Sequence, residues 1–197
     1  MLDLEPAAQQ MTDLIRGVPD GPLDGPTPCP AYTLGDLLDH IGTLTQAFTV
    51  AATKTNLAQP GSGRPVPDAA NLDSDWRGRI PRDLTTLVEA WRDPEAWTGM
   101  TRAGGIDLPG EVAGLVVLDE LILHGWDLAR TTGQPFDYEP ALLEAVLDFV
   151  AKFAPPDQEA AREGLFGPVV PVPEEAPLLD RLLGLAGRDP AWSPAAP

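Results

Sequence analysis

Apolar residues recur at helical spacing in several long segments of this chain, and most of its 23 prolines stand between those segments. That separation constrains the fold most, because an internal proline removes a backbone donor and clashes with the preceding turn. Leu4, Ala7, Ala8, Met11, Leu14 and Ile15 make one apolar stripe and predict a helix over residues 3–16. Gly17 and the run VPDGPLDGPTPCP end it. Thr33 with Asp36 has the pattern of a capping box, Asp replacing the usual Glu, and opens a second helix. Its stripe is Leu34, Leu37, Leu38, Ile41, Leu44 and Phe48.

A third helix is expected over 81–91, with Pro81 in its first turn. The segment MTRAGGIDLPG reads as a turn or a short extended pair. A fourth helix follows over 109–132, with Gly133 as a left-handed cap, and a fifth over 139–153. Between the second and third helices, QPGSGRPVPDAANLDSD is longer than most loops and reads as a crossover or a flexible lid. The tail holds a short helix or turn at 159–167, an extended proline-spaced PVVPVPEE, and a helix over 176–186. No internal repeat is visible. The expected architecture is all-α: four long helices in a bundle over residues 1–154, with 155–197 an extension packed on it and not a separate domain.

Charge narrows the partners. Against 13 Lys and Arg stand 30 Asp and Glu, a formal net charge of −17. Such a surface repels phosphate backbones and anionic membranes, so neither nucleic acid nor a membrane is an expected partner. Solubility is its plainest use. A lone cysteine, Cys29, excludes an internal disulfide framework and suits a reducing cytoplasm. MLDLEPAAQQMTDLI lacks the basic and apolar regions of a signal peptide, and no apolar stretch approaches the roughly 20 residues that span a bilayer. The expected location is cytoplasmic.

The chain has 2 histidines, and both fall inside helical apolar patterns. His40 is flanked on its wheel by Leu37, Ile41 and Leu44. Glu120 precedes His124 by one helical turn, on a stripe with Val116, Val117, Leu121 and Leu128. A carboxylate on an apolar stripe is costly to bury unless it is paired or bound to a metal. Two imidazoles and a carboxylate form an open, catalytic zinc-type ligand set, although nickel, iron or cobalt suit the same donors. Spacing alone leaves simpler readings: Glu120 pairs with one of the histidines, or sits at the wet edge of the bundle. Asp127, three residues after His124, is placed to accept its second ring N–H.

These segments resemble a known family. CPAYTLGDLLDHIG is similar to the first signature of the mycothiol-dependent maleylpyruvate isomerase-like family, with Tyr32 where the family has Trp. LDELILHGWDLARTTGQ resembles the second, and FGPVVPVP with LLGLAGRDPAW resembles the ending of a short actinobacterial branch. The resemblance implies a DinB/YfiT-like four-helix bundle with a long crossover, and metal ligands at His40, Glu120 and His124. It also implies a mycothiol-type thiol cofactor and a metal-dependent S-transferase or isomerase acting on a small electrophile. The well-characterised isomerase has an additional C-terminal domain. This chain offers only a short tail after Ala154, so maleylpyruvate itself is not the expected substrate.

The alternative class is a metal- or ligand-binding bundle without catalysis, including a homodimeric, stress-related module whose metal only stabilises. Arg130 is the weaker candidate for binding an anionic substrate or cofactor, and Arg102 reads as solvated surface. Cys29 reads as packing at the start of the second helix rather than as a nucleophile. Trp126 should point away from the metal stripe, while Trp76, Trp91 and Trp97 should cover the open end of the bundle.

Overall fold

The computed structural model describes residues 1–55, 57, 65–162 and 164–194. Four helices carry the core: α1 (Glu5–Arg16), α2 (Leu34–Thr53), α3 (Trp76–Trp91) and α4 (Gly110–Thr132). Each of α1 and α2 packs against both α3 and α4, which makes a square bundle with α1 diagonal to α2. Helix α4 is apolar around most of its circumference because α1, α2 and α5 (Pro140–Val150) all cover it. Leu118, Ile122 and Leu128 on it are completely buried.

The capping box forms as expected. The Thr33 side chain accepts from the Asp36 N–H at 3.2 Å, and the Asp36 carboxylate accepts from the Thr33 N–H at 2.9 Å. Gly133 closes α4 with φ of 68°, the left-handed conformation anticipated for it. Helix α3 departs from expectation by starting at Trp76, so Pro81 lies inside it and not in its first turn. The earlier start is held by side chains that bridge the added turn, Arg79 to Asp73 and Arg82 to Asp75. Pro81 forfeits only the one bond its N–H would have made.

MTRAGGIDLPG becomes an antiparallel pair, β1 (Met100–Ala103) and β2 (Ile106–Pro109), turning on Gly104 and Gly105. Of the long crossover, residues 58–64 lie outside the described residues. Its later part is tied back to α2: the Asp36 carboxylate accepts from the Ala69 N–H at 2.8 Å, and Asp39 from the Asp68 N–H at 3.1 Å. Trp91 and Trp97 meet edge to face at 5.1 Å, while Trp76 stands apart under the Arg77 guanidinium. A Cβ at Gly114 would fall 2.3 Å from the Trp97 ring, so that position admits no side chain.

Beyond α5, a one-turn helix α6 (Glu159–Arg162) and an extended proline-spaced run lead to α7 (Leu178–Leu185), which packs against α5. Gly187 then turns the chain with φ of 81°, and a Cβ added to it would fall 2.6 Å from the Gly167 backbone. No described helix is long and apolar enough to cross a membrane.

Candidate metal centre

His40 projects from the second turn of α2, and Glu120 and His124 project from successive turns of α4, which packs on α2. Each offers one donor atom, and the three atoms lie within 4.8 Å of one another. Glu120 Oε2 is 3.0 Å from His124 Nε2 and 3.8 Å from His40 Nε2. The imidazoles meet edge to face, 4.7 Å between centroids at 88°. Their side chains are 13% and 8% exposed and that of Glu120 is 18%, so the cluster lies just beneath the surface. Three donors converging from two rigid helices fit a divalent ion with a further position left open. Pairing of Glu120 with the histidines, the simpler alternative, describes the same geometry when protons take the place of an ion.

The residues behind His124 define its orientation. Its Nδ1 lies 2.9 Å from Asp127 Oδ2. Asp127 is wholly buried and is gripped by Arg188, whose Nε and Nη2 donate to its two oxygens at 3.1 and 2.9 Å. Burial opposes charge on the Asp127 carboxyl, but Arg188 and His124 outweigh that cost and hold it below the ordinary carboxylate range. An ionised Asp127 favours a proton on His124 Nδ1, which leaves Nε2 as the donor atom that could reach an ion. Burial also disfavours the charged imidazole, yet its bonds to Asp127 and Glu120 dominate and push the His124 pKa up to about 9. Glu120 is held well below its usual range by the two histidines, against the cost of its burial.

Two of these neighbours escaped the sequence reading. Arg188 is 61 residues from Asp127, and no local spacing links them. Tyr32 stands 5.1 Å from the His40 ring and 6.2 Å from that of His124, roofing both. Its place in the first signature was the available signal, although packing was the plainer interpretation of it. Cys29, half-buried in the same loop, feels Asp127, Arg188 and Glu120. Burial pushes its thiol pKa up and Asp127 adds to the rise, which keeps it a thiol.

Arg130 is placed elsewhere. Its guanidinium donates to the Trp192 carbonyl at 2.6 Å and lies over the Trp126 ring, so it holds the tail rather than facing the donor cluster. Trp126 is buried on that same side, away from the histidines. Arg102 is clamped to Asp107 across the β-pair. Beside the cluster, Asp119 Oδ1 is buried without a hydrogen-bond partner among the described residues.

A cavity of about 230 Å³ opens beside the cluster, with His40 and Glu120 among its lining residues. Its walls come from α2, the β-pair, α4 and α5.

The sequence profile of the mycothiol maleylpyruvate isomerase N-terminal domain matches residues 4–129, a span that includes all three donors. The chain belongs to that family. An uncharacterized protein of Mycobacterium tuberculosis, known from two strains, is 29% identical over 180 residues, covering 89% of this chain and 90% of its own. Among solved structures, the mycothiol-dependent maleylpyruvate isomerase superposes with a TM-score of 0.65 at 18% identity. A histidine-to-alanine mutant of that enzyme gives 0.67 at 16%. At these identities the likeness establishes the fold. Both superpositions cover 93% of this chain and 86% of the isomerase, so most of the isomerase has a counterpart here, against the expectation of a missing domain.

Proposed function

We propose that His40, Glu120 and His124 hold a divalent metal ion, zinc or nickel by donor chemistry, and that the protein uses a mycothiol-type thiol to transform a small electrophile. The observation that carries this reading is the convergence of the three donors, two of which line a cavity, inside a chain of the mycothiol-dependent family. When bound, such an ion lowers the pKa of a thiol at its open position, so that the thiolate is available at neutral pH.

The chain's own groups prepare that position. Asp127 keeps the His124 proton on Nδ1, and Arg188 keeps Asp127 ionised and fixed. Tyr32 packs over both imidazoles and restricts their rotation. The apolar cavity walls would shield the side on which an electrophile approaches, where the thiol sulfur would bond to carbon as an alkene π bond is consumed or a leaving group departs. Thiol transfer and cis–trans isomerisation of an activated double bond share this first step. The cavity favours an enzyme over a purely structural metal site, because it leaves room beside the donors for a second molecule.

Elemental analysis of purified protein, coupled to thiol-adduct assays with mycothiol, tests the reading. Wild-type protein should carry about one equivalent of metal and His40→Ala should lose both metal and activity. Unchanged metal content and activity in His40→Ala would end the proposal. A large drop in melting temperature on chelation, with no activity against any electrophile, would favour the structural-metal alternative.

A further inference from the structure

The cavity beside the donor cluster has a one-sided chemistry. Leu44, Phe48, Leu108, Val112, Val116 and Phe149 are among its walls, and no Lys or Arg lines it among the described residues. Val112 and Val116 continue the stripe of Glu120 at four-residue steps, so an apolar track runs along α4 to the donors. At the mouth, Ile106 is 62% and Leu165 45% exposed, which extends the apolar surface into solvent. Among its described lining residues the carboxylates are Asp39, beside His40 on α2, and Glu120 on α4. Asp39 is already engaged by the Asp68 N–H.

Maleylpyruvate carries two carboxylates, and among the described residues no Lys or Arg side chain lines this cavity to receive them. Desolvating a carboxylate against apolar walls without a partner is costly. The donor cluster gives little help: a divalent ion neutralised by Glu120 and one thiolate retains no net positive charge. The protein's net charge of −17 further opposes a dianion. Among the described residues, Arg102 on the β-pair is bound to Asp107, and Arg130 donates to the Trp192 carbonyl on the tail side.

We infer that the electrophile is an uncharged, largely apolar molecule with an activated carbon–carbon double bond and no carboxylate. This rests on the thiol-dependent reading above and specifies its substrate class. In the addition, the thiol S–H bond breaks and the alkene π bond is consumed. Sulfur bonds to one alkene carbon, and the proton ends on the other. Rotation about the new single bond and reversal of these steps return the thiol and the trans alkene, with no further reactant.

Dimethyl maleate and maleate are a matched neutral and dianionic pair for the test, each rate divided by its uncatalysed rate with mycothiol. The metal-loaded protein should favour the diester by about ten-fold or more, since burying unpaired charge costs at least that much. Binding is read separately with N-phenylnaphthylamine, an uncharged fluorophore, which dimethyl maleate should displace and maleate should not. Val112→Arg should weaken fluorophore binding about ten-fold by placing a cation on the apolar wall. Ile106→Lys, at the exposed mouth, should weaken it in the same direction if the first variant does not fold. Preference for maleate, equal displacement by both, or no binding of the fluorophore overturns the inference. Selective fluorophore binding that responds to these variants, with no turnover of either ester or acid, supports the apolar ligand class while the thiol-enzyme reading fails.

Discussion

Asp127 and Asp119 are both buried carboxyls on α4, and their surroundings give them opposite energetics. Asp127 is matched by Arg188 and His124, so removing the guanidinium strands a charge. Arg188→Met should cost about 3–5 kcal/mol in chemical denaturation. It should also weaken zinc binding by about 10–100-fold in a chelator competition, because His124 loses the support of its orienting carboxylate. Asp119 has no such match; burial, with Glu120 alongside, raises its pKa well above the ordinary value of 3.8. A carboxyl whose folded pKa is raised costs stability once the pH exceeds its unfolded value, and costs nothing in acid. Asp119→Asn should therefore stabilise the protein at pH 7, by about 1–3 kcal/mol. The gain should disappear as the melting experiment is repeated toward pH 4, and a pH-independent change would contradict this account.

The elements differ in how much of their placement is local. Helices α1, α2 and α4 could be drawn from the spacing of Leu, Ile, Val and Ala, because a helix closes its bonds within four residues. The capping box at Thr33 and the left-handed Gly133 are equally local. The start of α3 was not legible, because ion pairs among Asp73, Asp75, Arg79 and Arg82 extend it upstream of Pro81. The C-terminal turn is the element on which the donor cluster depends at longest range. Gly187 adopts positive φ and leaves no room for a Cβ beside Gly167, and Arg188 follows it directly. Gly187→Ala should cost more than the roughly 1–2 kcal/mol of left-handed backbone alone. It should also weaken zinc binding, since it displaces Arg188 from Asp127. A thermal melt and the same chelator competition, run on one preparation, check both.

For the whole molecule, a proton and the proposed metal would compete for the same imidazole, and a pH dependence follows from that proposal. In metal-free protein the His124 pKa is raised from 6.5 to about 9 by Asp127 and Glu120, which outweigh burial. Its contribution to stability is complete below pH 6.5 and is lost as the pH climbs through 9. The depressed Glu120 and Asp127 act in the other direction, and their contribution falls away in acid below their ordinary values of 4.5 and 3.8. Metal binding needs the neutral ring, so it strengthens over the range in which the metal-free protein weakens. The difference in melting temperature between zinc-loaded and chelated protein should therefore widen from pH 6.5 to 9, and a constant difference would exclude His124 as a ligand. From sequence alone came the helices, the acidic surface, the Glu120–His124 pair and the inward face of His40, because each depends on spacing within a few turns. The resemblance grouped His40 with that pair, but only the tertiary structure could set their distances, roof the rings with Tyr32, aim Arg188 at Asp127 and line the cavity with apolar side chains. Those relations join residues tens of positions apart, and packing between helices, not the period of any one of them, decides which side chains meet.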